Sequence, residues 1–143
     1  MAAAASFLRA TGLHPDQVVI LINNRRLMDA QLQALGVSAD LRGQVIRVID
    51  RRDKMLPLAW EQYALDTGLT PGQLAGLKGL LENENLWRKS EELTRFFAAI
   101  EALGAAEYVR FAPDVIRGLD YYTGTVFEAR DHDGEFRAIL GGG

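Results

Sequence analysis

Residues 115–128 read VIRGLDYYTGTVFE, and one cation, one acid, two phenols and two glycines fall between positions 117 and 124. Arg117 keeps its charge at any working pH and can hold a carboxylate or phosphate through two parallel hydrogen bonds. Asp120 is close enough in sequence to pair with that guanidinium or to orient it. A tyrosine hydroxyl can donate to, or accept from, a polar ring such as imidazole. On an extended strand Tyr121 and Tyr122 face opposite ways, so a regular strand aims at most one of them at a given pocket. A bulge or a sheet edge would bring both to it. Gly118 and Gly124 permit unusual backbone angles or the close approach of a ligand. Two readings stay open on these grounds: an anion site with an aromatic selector, or an ordinary Arg–Asp pair beside two tyrosines.

The bulk composition narrows the classes. A chain of 143 residues can bury a real core in one domain, and 48% hydrophobic with 24% charged residues is ordinary for a globular protein. The net charge of −3, with lysine only at Lys54, Lys78 and Lys89, gives no globally basic nucleic-acid binder, although a local patch is still allowed. There is no cysteine, which excludes disulfides, thiolate metal sites and cysteine nucleophiles. His14 and His132 alone make a poor zinc set, so no metal site is expected. No apolar run reaches the roughly 18 residues of a membrane span, and the start lacks the pattern of a signal peptide. A cytoplasmic chain away from membranes is the expectation.

The elements that must position residues 117–124 follow from periodicity. Residues 2–11 read as a helix closed by Gly12, and Gln17 to Ile22 as a strand buried on both faces, interrupted by Asn23 and Asn24. A helix follows from Arg25 to Leu35. From about 40 to 103 the pattern is helix alone. Asp40 caps the first helix, Pro57 opens the second with Leu58, Tyr63 and Leu65 on its apolar stripe, Thr70-Pro71 starts the third, and Ser90 starts the last. Strands return with Glu107 to Phe111, Tyr121 to Arg130 and, after a turn at 131–134, Glu135 to Leu140. An all-helical stretch between sheet pieces implies that the two ends belong to one layer.

The string Arg117-Gly118-Leu119-Asp120-Tyr121-Tyr122-Thr123-Gly124-Thr125-Val126-Phe127-Glu128 closely resembles the histidine-binding signature of histidyl-tRNA synthetases, which are class II aminoacyl-tRNA synthetases. VVILINNRRLMDA at 18–30 resembles that family's strand and helix after motif 2, and RVIDRRDK at 47–54 the start of its insertion region. Leu140-Gly141-Gly142-Gly143 resembles the opening of its second histidine signature. The resemblance implies an α+β fold, part of a class II antiparallel sheet with an inserted helical domain. It divides the chain into core pieces at 1–39 and 105–143 around a helical insertion at 40–104. It implies that Arg117 contacts the substrate carboxylate and the α-phosphate of ATP, that Tyr121 and Tyr122 contact histidine, and that Gly141 and Gly142 leave room for it. Asp120 would organise the site.

The family implies ATP with Mg2+, histidine, the acceptor stem of tRNA(His) and a homodimer for the whole enzyme. Motifs 1, 2 and 3 are not found, so the chain reads as an internal slice that is expected neither to hold ATP and Mg2+ nor to aminoacylate by itself. In the helical middle, Arg47, Arg51 and Lys54 would share one helix face, suited either to tRNA phosphates or to a solvated surface with ion pairs. The alternative reading is a synthetase-like regulatory subunit of ATP phosphoribosyltransferase. The intact string around Arg117 favours the synthetase, and a free-standing helical interaction module is the third possibility.

Overall fold

The computed structural model describes residues 2–117, 122–132 and 138–143. Helix α1 (Ala2–Ala10) precedes strand β1 (Val18–Asn24), and helix α2 (Arg25–Ala34) follows with no intervening loop. Helices α3 (Ala39–Asp50), α4 (Pro57–Asp66), α5 (Pro71–Leu81) and α6 (Glu91–Ala102) come next, then strands β2 (Val109–Phe111), β3 (Thr125–Asp131) and β4 (Leu140–Gly142). The strands form one sheet in the order β2-β1-β3-β4. Both ends of the chain therefore share a layer.

Strands β1, β3 and β4 are antiparallel neighbours, as the resemblance implies, whereas β2 lies parallel to β1. A parallel partner needs a long crossover, and helices α2 to α6 provide it. The apolar side chains of Val18, Ile20 and Ile22 join Leu32, Val45, Ile49, Leu77, Leu93 and Ile100 in a single buried cluster. Trp60 anchors α4 to α3 by donating its indole N–H to the Val48 carbonyl at 2.7 Å. Leu58 departs from the expected apolar stripe and is 82% exposed, because Trp60 and Ala64 form the buried side of α4 instead.

Asn23 and Asn24 do not interrupt β1 but complete it, fully buried. Their amides are satisfied: Asn23 Nδ2 donates to the Pro113 carbonyl at 2.8 Å, and Asn24 Nδ2 donates to Thr125 Oγ1 at 3.1 Å. Asn24 Oδ1 accepts from the Leu27 N–H, so the last residue of the strand is also the N-cap of α2. The cap of α3 is Ser38 rather than Asp40, which lies in the first turn, where its charge complements the helix dipole. At Thr70 the expected start is a full capping box with Gln73. Helices end where glycine allows a left-handed residue, as at Gly36 (φ 75°) and Gly104 (φ 65°).

Strand β3 begins at Thr125, not at Tyr121, and pairs along its whole length with β1. Tyr121, Asp120 and Gly118 fall outside the described residues, as does most of the expected run from Glu135.

Candidate functional site

Strand β3 displays Val126, Glu128 and Arg130 on one face, because side chains alternate along a strand. Gly141 of β4 sits opposite Glu128, and Gly142 sits opposite Phe127. Arg117 reaches this face from the loop after β2. Its Nη1 lies 3.4 Å from Glu128 Oε2, and its side chain is 27% exposed against 15% for Glu128. A Cβ added to Gly141 would lie 2.9 Å from Arg117 Nη1, so the bare backbone of β4 lets the guanidinium lie directly against it. On Gly143 an added Cβ would lie 2.7 Å from Tyr122 Cε1 and 3.0 Å from Val126 Cγ1. Arg117, Tyr122, Gly141 and Gly143 thus meet on one side of the sheet. Gly142 faces the other way, where a Cβ would meet the Phe127 ring at 2.8 Å.

Arg117 itself has φ 53°, the only non-glycine residue in the left-handed region among the described residues. That conformation costs on the order of 1–3 kcal/mol and persists only where its surroundings enforce it. Arg25, the first residue of α2, enforces it by donating from Nη1 to the Arg117 carbonyl at 2.8 Å and the Ile116 carbonyl at 3.3 Å. The sequence pointed to Gly118 and Gly124 for unusual backbone angles; the residue found in the left-handed region is Arg117, and Gly118 lies outside the described residues.

Glu128 is the centre of a charged chain that sequence reasoning missed. Its Oε1 accepts from Arg130 Nε at 2.7 Å, and Arg130 Nη1 reaches Asp53 Oδ2 at 3.2 Å. Arg130 loses some proton affinity to burial, but the Glu128 hydrogen bond and the charges of Glu128 and Asp53 outweigh that and hold its pKa above the ordinary arginine value. Asp114 goes the other way for a carboxyl: burial first, and the charge of Asp53 second, raise its pKa from 3.8, only partly offset by a backbone hydrogen bond, Arg130 and Arg52. The available signal was the two-residue spacing of Glu128 and Arg130, which puts opposite charges side by side on one strand face.

Of the other expected cations, Arg47 and Arg51 both lie beside Tyr63, and Lys54 comes after the end of the helix. Helix α3 ends at Asp50, Arg51 is its C-cap, and residues 52–54 turn in a tighter 3-10 coil. Arg51 stacks on the Tyr63 ring, Lys54 pairs with Asp50 at 2.8 Å, and Arg47 lines a groove with Asp40, Thr67 and the same Tyr63. Among the described residues, no group of three His, Cys, Asp or Glu could hold a metal, and no helix is long and apolar enough to cross a membrane.

A family model for histidyl-tRNA synthetase matches residues 1–143. A chloroplastic/mitochondrial histidine–tRNA ligase of Arabidopsis thaliana is 32% identical over 96% of this chain and 30% of its own length. A histidine–tRNA ligase of Opitutus terrae is 32% identical over 95% of this chain and 35% of its own length. Among solved structures, histidyl-tRNA synthetase from Nostoc sp. PCC 7120 superposes with a TM-score of 0.73 at 20% identity, covering 90% of this chain and 35% of that one. A protein from Bacillus halodurans C described as an ATP phosphoribosyltransferase regulatory subunit/histidyl-tRNA synthetase gives 0.77 at 19% identity, covering 99% and 40%. The chain spans about a third of the length of the curated relatives it matches.

Proposed function

Because the chain belongs to the histidyl-tRNA synthetase family, we propose that it is part of a histidine–tRNA ligase and supplies one face of its amino-acid site. In the first half-reaction a histidine carboxylate oxygen attacks the α-phosphorus of ATP. The bond to pyrophosphate breaks, pyrophosphate leaves with the electron pair, and histidyl-adenylate forms. In the second, a ribose hydroxyl at the end of tRNA(His) attacks the aminoacyl carbonyl and AMP leaves.

Arg117 is the catalytic residue in this reading. Its long contact with Glu128 leaves the cation available to an incoming carboxylate, while the left-handed backbone and Gly141 hold it in place before substrate arrives. Negative charge grows on the phosphoryl oxygens during attack, so a prepositioned guanidinium stabilises the transition state more than the ground state. Tyr122, on the same face, reads the imidazole by hydrogen bonding, which discriminates against apolar side chains of similar shape. Tyr121 is assigned to histidine by the family string alone. Among the described residues the carboxylates offer no set for Mg2+. The division at 39/40 and 104/105, the homodimer, the acceptor-stem partner and a cytoplasmic location belong to the same proposal for the whole ligase.

The observation that carries the reading is the convergence of Arg117, Tyr122 and the backbone of Gly141 and Gly143. The synthetase-like regulatory subunit would have no need of an arginine held in a costly conformation at that point. The test is a chimera in which this chain replaces the matching third of the Opitutus terrae ligase, assayed by histidine-dependent ATP–pyrophosphate exchange, with folding checked by circular dichroism. The chimera is expected to exchange, and Arg117→Ala to lose about 10²–10³-fold, the usual cost of one transition-state donor. Equal exchange with and without Arg117 overturns the assignment. The 143-residue chain alone is expected to show none.

A further inference from the structure

Glu128 faces two arginines and offers each a different oxygen. Arg130 Nε donates to Oε1 at 2.7 Å, within the range of a charge-assisted hydrogen bond, whereas Arg117 Nη1 lies 3.4 Å from Oε2, beyond that range. The carboxylate is thus drawn to Arg130 and stands back from Arg117. A second acid holds Arg130 in place: its Nη1 meets Asp53 Oδ2 at 3.2 Å. Asp53 belongs to the 3-10 turn Arg52–Lys54 that follows α3, so the helical middle of the chain anchors the far end of this clamp. Glu128 is only 15% exposed, and water screens such a charge weakly.

We infer that Arg130 is a positioning residue: by engaging Glu128 it keeps that carboxylate from closing on Arg117, and so sets how readily Arg117 accepts the carboxylate of a substrate. The inference rests on the ligase reading, in which Arg117 binds that group. Without Arg130, the Arg117 guanidinium is the cation left to Glu128 among its described ion-pair partners. An arginine and a carboxylate in contact form two parallel hydrogen bonds when nothing holds them apart. An incoming carboxylate would then compete with one already in place, and substrate affinity would fall. Arg130 touches no reacting atom in this account and acts through Glu128 alone. An ion pair that served only to hold β3 against the 3-10 turn would affect folding and leave substrate affinity unchanged.

The test is made in the ligase chimera, by ATP–pyrophosphate exchange at varied histidine concentration, with folding followed by circular dichroism. Arg130→Met is expected to raise KM for histidine about tenfold, a coupling common between adjoining charged groups, and to change kcat little. Arg130→Gln, which keeps a polar stem in the same space, guards against misfolding and should shift KM in the same direction. Adding Glu128→Gln to Arg130→Met should bring KM back down, because a neutral amide holds a guanidinium far less firmly than a carboxylate does. Glu128→Gln alone should lower KM for histidine. A fall in kcat at unchanged KM in the Arg130 variants, a double variant no better than Arg130→Met, or a rise in KM with Glu128→Gln alone each overturns the inference. If Arg117→Ala abolishes exchange while Arg130→Met keeps the native KM, the positioning role falls and the ligase reading stands. If Arg117→Ala exchanges as well as the parent chimera, the reading of Arg117 itself falls.

Discussion

The face around Arg117 and the stretch from Arg47 to Lys54 contain the same ingredients, arginines alternating with carboxylates, and the fold treats them in opposite ways. At the sheet, strand alternation and the β3–β4 register bring Arg117, Glu128 and Arg130 into one half-buried chain, which the more exposed Asp53 of the second stretch extends from Arg130. At the end of α3 the helix stops, and the cations part: Lys54 pairs with Asp50 one turn back, Arg51 stacks on Tyr63, and Arg52 stacks on Trp60. A charged pattern becomes a site when the backbone under it is rigid on both sides of the turn. On a helix end it remains surface.

That contrast can be broken by experiment, most strongly through activity. In the chimera, Arg117→Ala should cost about 10²–10³-fold in exchange, whereas Arg51→Ala should stay near native because its cation–π contact only dresses the surface. A comparable loss at Arg51 would erase the distinction. Next in size is Glu128→Ala, which leaves two half-buried guanidiniums without their shared carboxylate. Urea unfolding should show a loss of about 2 kcal/mol, below the full cost of an uncompensated buried charge because both arginines keep some solvent.

Asp114→Asn should have a smaller effect and a distinct pH signature. A carboxyl whose folded pKa is raised contributes fully below its unfolded value of 3.8 and loses that contribution as pH rises through the folded value. Asp114→Asn should therefore raise Tm by a few degrees at most at neutral pH, with the gain vanishing toward pH 3.8. A gain that is constant with pH would mean that ionisation of Asp114 is not the cause. The smallest expected change is at Lys54→Ala, where an exposed i,i+4 pair contributes about 0.3–0.5 kcal/mol. A loss above about 1 kcal/mol there, the ceiling for an exposed pair, would show that the stretch is more than surface.

The amino-acid order by itself determined much of this protein. Helix starts at Thr70 and Ser90, stops at Gly36 and Gly104, and the buried strand at Val18–Ile22 follow from local chemistry, because caps, glycine and β-branched runs act within a few residues. The string at 117–128 likewise carried the family. Only the tertiary structure decided that Asn23 and Asn24 could be buried, since their partners at Pro113 and Thr125 lie some 90 to 101 residues away. It decided equally that Arg117 takes a left-handed backbone, that Glu128 and Asp53 join its charge chain, and that Gly142 faces away from it. Those outcomes depend on strand register and on donors from distant elements, and no spacing within a single segment encodes them.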